Sequence, residues 1–83
     1  IDLKIYPNPS TGYITLEWNQ SFSESLIFRL SSITGQKLYH QEKSWASGHH
    51  TVELFIPSYK GIAILSLTRE DGSTLMRKLV FIK

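Results

Sequence analysis

Cysteine is absent from this 83-residue chain. Disulfide stapling, thiolate metal sites and thiol catalysis are therefore excluded, although extracellular folds do not require disulfides and the compartment stays open. Long apolar runs are absent too. No segment approaches the roughly 20 residues of a transmembrane helix, so no direct membrane insertion is expected. Charge of one sign is scarce: nine basic and seven acidic residues leave a net charge of +2. The basic residues are scattered, which gives no nucleic-acid footprint even at a pI near 9.1. Helical periodicity, internal repeats and low-complexity tracts are also missing.

What is present suits one compact domain spanning residues 1–83. The chain is 41% hydrophobic, with two Trp, four Tyr and four Phe. A domain this small buries roughly 60–65% of its unfolded surface, so its margin is thin. The start, Ile1-Asp2-Leu3, carries neither Met nor a signal pattern. We therefore expect a piece of a longer protein.

Turn signals recur at the roughly 8–12-residue rhythm of an all-β sandwich, and seven strands follow from them. The first is Leu3 to Tyr6. The turn Tyr6-Pro7-Asn8-Pro9-Ser10-Thr11-Gly12 comes next. Pro7 and Pro9 fix φ and push the residues before them toward extended geometry. Gly12 supplies a permissive backbone before pairing begins. Tyr13 to Trp18 alternates, with Ile14, Leu16 and Trp18 on one face. Polar Asn19 to Ser25 is expected to be a loop. Leu26, Phe28 and Leu30 share a face of the third strand, and Gly35 marks the left-handed position of the turn after it. Lys37 to Lys43 is the fourth strand, and Ser44 to His50 is expected to be a loop.

Val52, Leu54 and Ile56 point inward from the fifth strand, Thr51 to Ile56, which Pro57 ends. Ile62 to Thr68 is apolar on both faces, the pattern of a central strand covered on both sides. Asp71-Gly72 is a strong hairpin signal. The last strand, Leu75 to Ile82, is apolar enough that it must be docked or aggregate.

Candidate chemistry is sparse. Adjacent His49 and His50 point to opposite faces of an extended chain, a poor chelate, and only Glu53 is near in sequence. They are expected to be exposed loop residues, as is His40 on a strand surface. Glu70-Asp71 sits in a turn, where Asp has a structural reason to be. No nucleophile, base and oxyanion group converge, so no catalytic residue, metal or cofactor is expected. Trp18, Trp45, Tyr39 and Tyr59 could form a sugar-stacking platform, with Trp45 its best exposed member. Core filling is the stronger reading for aromatic residues in a small β fold. Arg77, Lys78 and Lys83 give the final strand a basic rim. Two readings stay open there: solubilising edge charges, or an electrostatic handle for a partner.

Four landmarks in order resemble one family. Tyr6-Pro7-Asn8-Pro9 with Gly12 is similar to the opening motif of the type IX secretion system C-terminal sorting domain, type A. Ile33-Thr34-Gly35-Gln36-Lys37 resembles its strand-turn-strand element. Lys60-Gly61-Ile62-Ala63-Ile64-Leu65 resembles its Gly-x-Tyr-x-Leu element. Lys78 to Lys83 resembles its closing strand. Two positions depart: Ser32 stands where the family usually has Asp, and Ala63 where it usually has an aromatic residue.

The resemblance implies a seven-stranded, immunoglobulin-like antiparallel β-sandwich. It implies a secretion address carried by Bacteroidetes-type bacteria, read in the periplasm and led through the outer-membrane translocon to the surface or the medium. A sortase-like cysteine protease usually removes such a domain. Type IX outer-membrane components and that protease are thus the expected partners.

On this reading Arg77, Lys78, Leu79, Val80, Phe81, Ile82 and Lys83 bind the translocon. Pro7, Asn8, Pro9, Gly12, Gly35 and Gly61 are structural. An apolar edge also allows a strand-mediated homodimer of the isolated domain. The alternatives are a carbohydrate-binding or adhesive sandwich at a surface protein's end, and a retained domain of a secretion component.

Overall fold

The computed structural model describes residues 1–82. Seven strands form: β1 (Asp2–Tyr6), β2 (Tyr13–Gln20), β3 (Glu24–Ser32), β4 (Lys37–Trp45), β5 (Gly48–Phe55), β6 (Gly61–Thr68) and β7 (Thr74–Phe81). They build two sheets, β1-β2-β5 and β4-β3-β6-β7. Every ladder between strands is antiparallel. The result is an immunoglobulin-like β-sandwich.

Period-two alternation places the core. Ile14, Leu16 and Trp18 of β2 are buried, as are Leu26, Phe28 and Leu30 of β3. Ala63, Leu65 and Leu67 of β6 join them, with Leu79 and Phe81 of β7. Trp18 is the hub: its ring centroid lies 5.1 Å from Phe28 and 5.0 Å from Trp45. Each such large side chain contributes roughly 1.5–3 kcal/mol by leaving water. Net stability of a domain is only about 5–15 kcal/mol, so no core member is dispensable.

Two expected loops are mostly strand. Asn19 to Ser25 reads as polar, yet β2 runs to Gln20 and β3 begins at Glu24. Both side chains are buried and fully paired, which is how a sandwich tolerates them. Gln20 accepts from Trp18 Nε1 at 3.0 Å and donates to the Phe22 and Trp45 carbonyls, each at 3.0 Å. Glu24 is held by Arg69. The other expected loop, Ser44 to His50, shrinks to Ala46 and Ser47, where the chain crosses between sheets. Little of edge strands β4 and β5 is buried, and that hid their ends.

β6 is central, between β3 and β7, but it is not covered on both sides. Its inner row is buried, while Ile62, Ile64, Ser66 and Thr68 remain half-exposed on the outer face.

Candidate functional site

β7 carries five of the predicted partner-binding residues, Arg77 to Phe81, with Ile82 next to it, and its pleat sorts them. Leu79 and Phe81 point inward and are 2% and 1% exposed. They hold the strand to the core and present nothing to a partner. Lys78, Val80 and Ile82 lie on the outer face, beside exposed Met76 and Thr74. Arg77 shares the inward parity but is exposed, at the rim of the sandwich. An inward-pointing charge at this position discourages edge-to-edge pairing. Lys83 lies outside the described residues.

β7 is an edge strand, yet part of its edge is occupied. The Pro7-Asn8-Pro9-Ser10 segment lies along it. Asn8 Oδ1 accepts from the Val80 amide at 3.0 Å, and Asn8 Nδ2 donates to the Lys78 carbonyl at 3.2 Å. The Ser10 amide donates to the Val80 carbonyl at 2.9 Å, and the Ser10 carbonyl accepts from the Ile82 amide at 2.7 Å. Ser10 is itself buried, its hydroxyl accepting from the Gly12 amide and donating to the Tyr13 carbonyl. The opening motif and the closing strand are therefore one site. No periodicity links residue 8 to residue 80, so sequence reasoning kept them apart. This cover leaves only the first half of β7 open to an added strand.

The glycines of the motif take positive φ. Gly12 has φ +133°, with the Phe55 ring 3.2 Å from where a Cβ would sit. Gly35 (φ +98°) and Gly61 (φ +129°) also need the left-handed side of backbone space. In the Gly35 turn Ser32 performs the capping: its hydroxyl accepts from the Gln36 amide at 2.9 Å and bonds the Thr34 hydroxyl at 3.0 Å. Ala63, the other departure, is fully buried.

The far end of the β6–β7 hairpin is tied by charge. Arg69 Nη2 lies 2.7 Å from Glu24 Oε2, and the Glu70 amide donates to Glu24 Oε1 at 3.3 Å. The Glu70 carboxylate in turn accepts from the Ser25 amide. The Arg69 hydrogen bonds hold the Glu24 carboxyl below the usual range, against the opposing effect of burial. Asp71 is lowered by the hydroxyl and amide of Ser73.

The remaining candidates disperse. His49 and His50 are on β5, not in a loop. His49 is exposed and sits between Glu17 Oε2 at 3.0 Å and Asn19 Oδ1 at 3.1 Å; its acidic neighbour is Glu17 rather than Glu53. Tyr6 donates to the other Glu17 oxygen at 2.8 Å, which raises the phenol pKa. These contacts tie three strands across an outer face. His50 is half-buried against Trp18 and Trp45 and donates to the Ala46 carbonyl. His40 is exposed, as expected. Among the described residues no three His, Cys, Asp or Glu groups could hold a metal ion.

The aromatic platform does not assemble. Trp18 is core, while Trp45, Tyr39 and Tyr59 are half-buried against it. Trp45 is thus not an exposed loop residue. The exposed aromatic side chains are Tyr6, Tyr13, Phe22 and Phe55, with Tyr13 stacked on Phe55 at 4.4 Å.

The family model of the secretion system C-terminal sorting domain matches residues 4–83, nearly the whole chain. The chain belongs to this family. It is a type IX secretion sorting signal, which implies export of its bearer to the cell surface or extracellular space through interaction with that machinery. The family is one of sorting signals rather than of catalysts. No curated protein and no solved structure matches the sorting domain. The family's opening and closing landmarks are the two segments that the Asn8 and Ser10 hydrogen bonds join.

Proposed function

We propose that this sorting domain, the C-terminal unit of a longer secreted protein, is read in the periplasm as a folded unit through its last hairpin. Outer-membrane components of the type IX system are the receptor. A sortase-like cysteine protease then cuts upstream, and the bearer is released or anchored. The observation that carries this reading is the division of labour on β7. Leu79 and Phe81 anchor the strand from inside, while Lys78, Val80 and Ile82 stand on the outer face and Arg77 at the rim. Arg77, Lys78 and Lys83 supply orientation and association rate, and Val80 and Ile82 supply contact area. Asn8 and Ser10 hold that surface in place before the receptor arrives, which lowers the ordering cost of binding.

The test is a transplant of residues 1–83 onto the C-terminus of a periplasmic reporter in a bacterium with the type IX system. The expected result is translocon-dependent reporter at the cell surface, reduced in Arg77→Ala/Lys78→Ala and in Lys83→Ala with the fold intact. Retention of a folded wild-type fusion in the periplasm would refute the proposal.

A further inference from the structure

The outer face of the four-stranded sheet carries a second feature, mostly outside the C-terminal strand. Ile62 of β6 pairs directly with Val80 of β7, and the Ile33 amide donates to the Ile62 carbonyl at 3.1 Å. These three form one aliphatic row. The next row runs across all four strands: Lys37, Ser31, Ile64, Lys78. An aliphatic centre therefore has a lysine at each end. Arg29 stands one row further along β3, and Ile82 extends the patch beyond Val80. Ile33 is 66% and Ile82 48% exposed. Ile62, Ile64 and Val80 are half-exposed, and none of them packs against the core. Contiguous exposed aliphatic surface with a charged rim marks an interaction site.

Among the described residues the rim is of one sign. The acidic residue these strands place on the face is Glu42, which pairs with Ile27 two rows from Ile64, about 13 Å away at the strand repeat. That exceeds a physiological Debye length of about 8 Å, so Glu42 does not neutralise the lysines. A second copy docked through the same patch would set these cations against their own equivalents. A lipid surface is also a poor match. Interfacial binders place Trp and Tyr at headgroup level, whereas the exposed Tyr6, Tyr13 and Phe55 lie on the other sheet.

We infer that this face docks a protein surface with an apolar centre and a carboxylate rim, and that Ile33, Ile62, Ile64 and Lys37 belong to the receptor-binding site. The inference rests on the sorting reading and widens the recognition surface from one strand to the sheet.

The experiment uses the same reporter fusion with residues outside the last strand. Ile33→Thr/Ile64→Thr removes aliphatic area, and Thr keeps the strand propensity of Ile64 in β6. Lys37→Glu reverses one end of the rim, and Lys4→Glu makes the same charge change on the other sheet. Thermal unfolding establishes that each variant folds. Surface reporter is expected to fall about tenfold or more in the first two variants and to stay unchanged in Lys4→Glu. Wild-type export by both test variants, alongside loss in Arg77→Ala/Lys78→Ala, would overturn this inference and leave the sorting reading standing. Failure of the wild-type fusion would overturn both. Co-sedimentation of the domain with phosphatidylglycerol vesicles, or a dimer in ultracentrifugation, lost in Ile33→Thr/Ile64→Thr, would overturn it in favour of a lipid or a second copy.

Discussion

Asn8→Ala tests whether the opening motif holds the closing strand. The substitution removes two hydrogen bonds, one accepted from the Val80 amide at 3.0 Å and one donated to the Lys78 carbonyl at 3.2 Å. A typical intramolecular hydrogen bond contributes about 0.5–1.5 kcal/mol net. Asn8 is exposed, so water takes over part of the role and the low end applies to each. The sum is about 1–2 kcal/mol. For a domain of this size each kcal/mol shifts Tm by roughly 4–8 °C, so Tm should fall by about 4–16 °C.

The location of the loss is the sharper readout. Amide exchange at Val80 should accelerate about 5–30-fold, more than at Leu67 in central β6, because the edge opens before the sheet does. Asn8→Asp keeps an acceptor for Val80 but opposes the Lys78 carbonyl with a second oxygen, so it should fall between Ala and wild type. An unchanged Tm in Asn8→Ala, with unchanged Val80 exchange, would refute the idea that this motif secures β7.

Three further outcomes are expected. Phe81→Ala should cost about 3–5 kcal/mol and unfold a large fraction of the domain, whereas its neighbour Ile82→Ala should cost under about 0.5 kcal/mol in urea titration. Gly12→Ala should destabilise by about 1–3 kcal/mol, since φ +133° is strained for Ala and the Phe55 ring stands 3.2 Å from the new Cβ. The Glu24 carboxyl is held below its ordinary 4.5 in the folded state by Arg69, so its stabilisation is complete above pH 4.5 and is lost as pH falls toward the lowered value. Glu24→Gln should flatten the acid limb of Tm against pH, and an unaltered slope would contradict this assignment.

Several elements were legible because alternation is a local signal. Ile14, Leu16 and Trp18, or Leu26, Phe28 and Leu30, announce a buried strand face with no knowledge of the partner sheet. The turns at Gly35 and Asp71-Gly72 were equally plain, since positive φ and Asx capping leave a compositional mark. The edge strands were less legible. Trp45 and His50 looked like loop residues because polar neighbours surround them in sequence, yet their rings pack on Trp18. Gln20 and Glu24 looked like loop polars because pattern reasoning cannot tell a buried, fully paired polar group from a solvated one.

The candidate site divides along the same line. Local sequence is enough to determine the strand count, the sandwich class, the inward rows and the landmarks that resemble the sorting-domain family, because each depends on neighbours within a few residues. Tertiary structure decides which of the final residues face outward, that Asn8 and Ser10 lie on Val80, and that Ile33, Ile62 and Val80 share a row. Those facts follow from strand order and register. Both are set by which apolar faces meet across the core, a global packing outcome that no single stretch of the chain encodes.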